Sequence, residues 1–325
     1  MTRAIRIHRY GGAEEMHFED VAVGEPGPNQ VLLRQTAIGV NYIDVYHRTG
    51  LYPLASLPAV LGMEAAAVVE AVGPGVSDLR PGQRVAYASP PPGAYAEQRL
   101  MAADRLVPIP DAIDDQQAAA MMLQGMTAQY LLRRTYRVQA GDAILVHAAA
   151  GGVGSILCQW ARSLGATVIG TVGSDEKAEI ARANGCHHVI IYSRDAVAPR
   201  VRELTDGAGV AVVYDGVGKS TFEGSLDSLR PLGMLVSFGN ASGPVPPFEP
   251  GVLSQKGSLF FTRPTLMHYT AKAEDLQASA HELFDVVAGG HVRIAVTATY
   301  PLAEAASAHR DLEARKTTGS LVLLP

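Results

Sequence analysis

The chain has 325 residues, 47% hydrophobic and 18% charged, which is too long for one ordinary core and comfortable as two domains. A formal net charge of −5 and a pI near 6.1 give no electrostatic reason to expect nucleic acid as the main partner. The two cysteines, Cys158 and Cys186, exclude a disulfide framework and a cysteine-rich zinc lobe, and with no secretory or membrane-spanning apolar run the expectation is a soluble, cytoplasmic protein.

The first hundred residues read as short strands cut by turns. A β-rich stretch at 31–40 follows the turn cluster 24–29, an apolar run at 66–72 ends in Gly73-Pro74-Gly75, and 84–88 follows Pro81-Gly82. These predict a partly closed, barrel-like β unit. The texture changes near Ala118, and from Gly141 strand and helix patterns alternate. A strand at 143–148 precedes a helix at 152–164, in which Val153, Ile156, Leu157, Trp160, Ala161 and Leu164 form one apolar stripe. Gly165 stands where a terminating glycine belongs. Strands at 166–172, 189–192, 210–214, 234–238 and 258–262 follow, separated by helices near 174–185, 195–205 and 220–230. Repeated β-α units predict a parallel, doubly wound sheet with right-handed crossovers. After Pro264 one strong helix, 271–287, and strand-like segments at 293–297 and 321–324 are too few for a third domain. The C-terminus is expected to fold back onto the N-terminal β unit, giving a division at 1–123, 124–266 and 267–325.

Ala148-x-x-Gly151-x-x-Gly154, with Gly152 and Val153 between, lies between a strand and an amphipathic helix. Small residues there let the backbone approach a pyrophosphate seated on the helix N-terminus. The strict G-x-G-x-x-G is absent, so the context of several β-α units carries the inference. The second strand ends at Gly173-Ser174 with no carboxylate to accept from a ribose 2′-hydroxyl, whereas Lys177 follows one turn later. Asp175 and Glu176 oppose a 2′-phosphate unless they serve the helix N-terminus instead. Two or three hydrogen bonds to that phosphate, at about 1.5–3 kcal/mol each, favour NADPH over NADH by about two to four orders of magnitude.

The chain resembles the quinone oxidoreductases, the zeta-crystallin-like, zinc-free branch of the medium-chain dehydrogenase/reductase superfamily. The resemblance rests on Gly39-Val40-Asn41-Tyr42-Ile43-Asp44-Val45-Tyr46, Arg48-Thr49-Gly50-Leu51-Tyr52-Pro53, the loop at His147 to Gly154, Tyr214-Asp215-Gly216-Val217-Gly218, Ser237-Phe238-Gly239-Asn240 and Thr262-Arg263-Pro264. It implies an α/β protein, a Rossmann doubly wound parallel sheet plus a GroES-like β-barrel domain formed by both termini. It also implies a homodimer joined along the edge strand near 258–262; no membrane partner is expected, and the acidic pI weighs against nucleic acid. For NADPH the matching positions are Asn41, Thr127, Gly151, Gly152, Val153, Gly154, Gly173, Ser174, Lys177, Tyr192, Val217, Phe238, Gly239, Arg263 and Arg315.

Asn41 and Met63 stand where the zinc alcohol dehydrogenases of the superfamily place a cysteine and a histidine ligand. An amide and a thioether are poor zinc ligands, so no catalytic metal is expected. The reaction implied is metal-independent hydride transfer from NADPH to a quinone. Asn41 and Gln124 are placed to hydrogen-bond the nicotinamide or acceptor oxygen, and Tyr46 and Tyr52 to offer ring faces and hydroxyls. Gln124 departs from the lysine that close relatives carry. Taken alone, Tyr46 and Tyr52 are core or surface aromatics, and His47, His147, His187 and His188 show no convincing ligand geometry; Glu64 is a candidate acid/base for which the resemblance favours a structural hydrogen-bonding role. Two competing readings remain: reduction of an activated double bond in an alkenal or enone, and a non-catalytic NADPH-binding protein of crystallin-like or RNA-binding role.

Overall fold

The computed structural model describes residues 1–325, which divide into two compact units. The first comprises Met1–Gln124, Thr270–Ala288 and Ile294–Pro325, and the second Gly125–Tyr269 and Gly289–Arg293. In chain order the first unit begins with β1 (Thr2–Ile7), β2 (His17–Val21), β3 (Gln30–Val40), α1 (Tyr42–Thr49), β4 (Ala59–Val60), β5 (Glu64–Val72), β6 (Arg84–Ala88), β7 (Gln98–Ala102) and β8 (Val107–Pro108). Helix α2 (Asp115–Tyr130) carries the chain into the second unit. There follow β9 (Ala143–Val146), α3 (Gly152–Ser163), β10 (Thr167–Val172), α4 (Asp175–Ala183), β11 (His188–Ile191), α5 (Val197–Leu204) and β12 (Val210–Asp215). The unit continues through α6 (Phe222–Ser228), β13 (Leu229–Ser237), α7 (Gly251–Gln255), β14 (Phe260–Thr262) and α8 (Leu266–Tyr269). The chain returns to the first unit as α9 (Ala273–Ala288), β15 (Val296–Pro301), α10 (Ala305–Glu313) and β16 (Ser320–Leu324).

In the first unit β15-β16-β3-β5-β6-β8 form one sheet with β7 also on β3, and β2-β1-β4 form a second. The C-terminal strand β16 lies antiparallel on β3, Leu323 opposite Ile38 and Leu321 opposite Val40. Alternation along β3 sends Val31 and Leu33 inward and Arg34 to solvent. The inward residues join Ile5, Leu61, Val69, Val85, Tyr87, Tyr95 and Leu323 in one core.

The second unit is a six-stranded sheet in the order β11-β10-β9-β12-β13-β14, every neighbouring pair parallel. All six residues of β12 are buried, and its first five, Val210 to Tyr214, form the continuous apolar run that a central parallel strand covered on both faces requires. The alternation of elements forecast this doubly wound sheet, and Gly165, with φ +84°, ends α3 in the left-handed region as expected.

Three local features differ from the expectation. Residues 42–49 form α1 although Tyr, Ile and Val favour strands. Asp44 accepts from the Asn41 N–H at 2.8 Å across the first turn, and Gly50, at φ +80°, closes the other end. Helix α2 has almost no polar face, so it shows no stripe. The strand expected at 293–297 is β15, Val296–Pro301. Arg293 lies outside it, its N–H donating to Gln159 Oε1 (2.9 Å) and its carbonyl accepting from Gln159 Nε2 (3.2 Å).

Candidate active site

In the second unit the turn from β9 to α3 is built for close approach by a ligand. Ala148 holds φ +53°, and its carbonyl accepts from Gly151 N at 2.9 Å. A Cβ on Gly154 would lie 2.2 Å from that same carbonyl oxygen, so only glycine fits. No side chain caps the first turn of α3 and no acidic residue stands in it, which leaves a helix N-terminus suited to an anion. Gly239 is equally constrained, since its Cβ would meet the Gly216 carbonyl at 2.4 Å. This bare-backbone cradle fits a dinucleotide pyrophosphate.

The loop after β12 is held from below by Asp215, which is buried. Its Oδ1 accepts from Val217 N (2.8 Å) and Gly218 N (3.0 Å), and its Oδ2 from Thr221 Oγ1 (2.7 Å) and Ser225 Oγ (3.0 Å). Because Ser225 spends its proton on Asp215, His147 Nε2 donates to Ser225 (3.0 Å). His147 Nδ1 then accepts from Thr171 Oγ1 (2.9 Å). Burial pushes the His147 pKa down, so the ring is neutral and structural, tying β9, β10 and α6 together.

At the tip of β10, Ser174 caps α4 by accepting from Lys177 N at 3.4 Å. A Cβ on Gly173 would stand 2.6 Å from the Tyr192 hydroxyl, which sets that phenol beside the strand end. Asp175 is bound by both terminal nitrogens of Arg194. The pairing lowers the Asp175 pKa and turns its charge toward Arg194, removing the objection it raised to a 2′-phosphate. Arg194 was not foreseen; a cation two residues beyond Tyr192 was its only sequence signal. Arg263, just after β14, donates to the Ser237 carbonyl at 2.9 Å, and the Phe238 ring lies against Gly216, 3.0 Å from where a Cβ would be. Thr127 is buried on α2.

The first unit brings Asn41 and Gln124 together through residues far apart in sequence. Asn41 Nδ2 lies 2.6 Å from Glu64 Oε2, and Asn41 Oδ1 lies 3.0 Å from Gln124 Nε2. Gln124 Oε1 lies 2.8 Å from Ser320 Oγ, which is also 3.0 Å from the Ala120 carbonyl. Glu64 Oε1 accepts from Leu123 N at 2.7 Å. Burial pushes Glu64 up to about 8, against the lowering effect of the Leu123 and Asn41 hydrogen bonds. Asp44, fully buried, is likewise pushed up to about 7 by burial while accepting from Asn41 N (2.8 Å) and Tyr95 Oη (3.0 Å). Tyr46 and Tyr52 meet edge to face with centroids 5.1 Å apart, and Tyr52 N donates to Tyr46 O at 3.1 Å. Glu64, Asp44 and Ser320 were not among the site residues read from the sequence. Arg315 lies in this unit after α10, at φ +56°, whereas Lys177 and Tyr192 belong to the other.

The Asn41 amide is committed to Glu64 and Gln124, and Met63 offers a buried thioether. This donor set does not fit zinc.

Two family models match: the alcohol dehydrogenase GroES-like domain over residues 27–111 and the zinc-binding dehydrogenase over residues 152–285. The chain is 55% identical over 325 residues to the quinone oxidoreductase of Pseudomonas aeruginosa, covering all of both chains. It is 52% identical over 331 residues to a 2-haloacrylate reductase of a Burkholderia species, covering 100% of this chain and 99% of the relative. The crystal structure of Escherichia coli quinone oxidoreductase complexed with NADPH superposes with a TM-score of 0.98, at 46% identity and full coverage of both chains.

Proposed function

The chain belongs to the quinone oxidoreductase family, and we propose that it transfers a hydride from NADPH to a quinone without a metal. The observation that carries this is the bare-backbone cradle at Gly151–Gly154 in a chain similar end to end to an NADPH-complexed quinone oxidoreductase. When bound, NADPH supplies the hydride; the protein binds, orients and excludes water. Gly151, Gly152, Val153 and Gly154 present backbone to the pyrophosphate. Ser174, Lys177 and Tyr192 surround the end of β10, where a 2′-phosphate is recognised in this fold. Val217, Gly239 and Arg263 line the loops at the C-terminal ends of β12, β13 and β14, the edge of a doubly wound sheet where ligands bind.

In the first unit Asn41 donates to the acceptor oxygen as it gains negative charge, with Gln124 fixing the amide. Tyr46 and Tyr52 offer the ring faces against which a flat acceptor packs. The edge strand β14 carries Phe260, 55% exposed, and pairing of two such edges makes the enzyme a homodimer.

One observation favours a second acceptor class: a relative 52% identical is a 2-haloacrylate reductase, so an activated carbon–carbon double bond is the alternative. Steady-state oxidation of NADPH and NADH against a benzoquinone, a naphthoquinone, an alkenal and a halogenated acrylate separates the two. Turnover confined to NADPH with quinones is the expected result. Turnover of the acrylate or alkenal alone transfers the assignment to double-bond reduction, and turnover of neither class refutes both.

A further inference from the structure

The single proton of Ser320 has consequences along the whole chain of groups from β16 to β5. A hydroxyl donates once. Ser320 Oγ lies within bonding distance of two groups placed as acceptors, the Ala120 carbonyl at 3.0 Å and Gln124 Oε1 at 2.8 Å. If Ser320 donates to Ala120, the Gln124 atom facing it must be nitrogen, because two acceptors at that distance repel. Amide nitrogen and oxygen have the same shape, and only their partners tell them apart. The Gln124 carbonyl then faces Asn41 across 3.0 Å, so Asn41 presents nitrogen there. The Asn41 carbonyl in turn faces Glu64 Oε2 across 2.6 Å, and that contact requires a proton on Glu64.

We propose that Glu64 is a positioning residue that works as a neutral carboxylic acid, its O–H setting the Asn41 and Gln124 amides in one sense. In that sense the Asn41 nitrogen beside Gln124 keeps a second N–H for the acceptor oxygen. In the carboxylate sense the same atom is oxygen, and a lone pair opposes the negative charge that develops on the acceptor. The benefit to the acceptor rests on the reading of Asn41 as its hydrogen-bond donor; the sense of the chain does not.

The surroundings favour the acid. Glu64 is fully buried and faces Asp44 on α1, whose negative charge raises it further. The Tyr87 and Tyr95 hydroxyls, on β6 and after it, also sense Glu64. From α2 and β16 come Gln124 and Ser320, both neutral, and from α2 the Leu123 N–H. Space is made by Gly39 on β3, where a Cβ would lie 2.4 Å from Glu64 Oε2 and 2.2 Å from the Ala119 carbonyl.

Two readouts test this on the full-length enzyme. Infrared difference spectra between wild type and Glu64→Gln are expected to show the C=O stretch of an un-ionised carboxylic acid in the wild type at about pH 6, lost as pH passes through about 8. No such band at about pH 6 overturns the proposal, whatever the kinetics. The second readout is kcat/KM for quinone at saturating NADPH, as a function of pH. Wild type is expected to lose about tenfold per pH unit above about pH 8, the slope of one ionisation. Glu64→Gln keeps a donor facing Asn41 and cannot ionise. It is expected to remove the alkaline limb and to rescue most of the roughly tenfold loss caused by Glu64→Ala. A limb unchanged in Glu64→Gln, or equal losses in the Gln and Ala variants, overturns the positioning role. If the band titrates as expected but Asn41→Ala reduces quinone as fast as wild type, it is the reading of Asn41 that fails and the sense of the chain that stands.

Discussion

Replacing Gly154 by alanine tests the cofactor cradle most directly. The added Cβ would sit 2.2 Å from the Ala148 carbonyl oxygen and 3.0 Å from both Ala148 C and Ala149 Cα. All three are backbone atoms, so no flexible side chain can yield. Restoring ordinary contact requires the turn between β9 and α3 to open by about 1 Å. Phosphate hydrogen bonds from the first turn of α3 tolerate about 2.7–3.2 Å, and an opening of that size breaks at least one. A hydrogen bond to a charged group contributes about 1.5–3 kcal/mol, which is about a ten- to hundredfold rise in the NADPH dissociation constant. The assay is NADPH titration followed by nicotinamide fluorescence, with kcat read at saturating cofactor. Gly224→Ala in α6 is the control, because a Cβ there meets nothing within 4 Å. It is expected to stabilise by about 0.4–1 kcal/mol and leave NADPH affinity unchanged. An NADPH dissociation constant within about twofold of wild type in Gly154→Ala would refute the cradle, since even one lost phosphate bond exceeds that.

Lys177→Ala is expected to weaken NADPH by about tenfold or more while changing NADH little, because one charge-assisted bond to the 2′-phosphate is removed. Equal losses for both cofactors in the same titration would take Lys177 away from the phosphate. Phe260→Lys places a charge on the exposed edge of β14. Light scattering is expected to read twice the 34.3 kDa chain mass for wild type and a single chain mass for the variant. A wild-type monomer, or a dimer indifferent to the substitution, would rule out that edge as the interface.

Much of the second unit was legible because its elements are decided locally. The stripe from Val153 to Trp160, the glycines before it and Gly165 after it set the boundaries of α3 within one residue. The continuous apolar run 210–214 is what a strand buried on both faces must look like. Helices α1 and α2 were harder for opposite reasons. In α1 strand-favouring residues are overruled by the Asn41–Asp44 bond at the helix start, a signal four residues long that was open to reading. In α2 burial nearly all round erases the amphipathic pattern, although Ala118 to Met122 have high helix propensity.

The candidate site divides along the same line. Its backbone part, the glycines of the cradle, is a property of one short segment and was visible at once. Its polar part joins β3, β5, α2 and β16, with partners 23, 83 and 196 residues apart, and no local pattern encodes such a set. Gln124 shows what was hidden. In the sequence it was visible only as a departure from lysine. In the fold it is the member that both donates and accepts, and it passes the sense set at Ser320 on to Asn41 and Glu64. A lysine there has donors only. It would donate to the oxygens of Asn41 and Ser320 alike, turn the Asn41 nitrogen toward Glu64, and so favour the carboxylate. Glutamine at 124 and a neutral acid at 64 therefore belong together: the amide carries the direction of the chain, and the buried acid supplies the proton that fixes it.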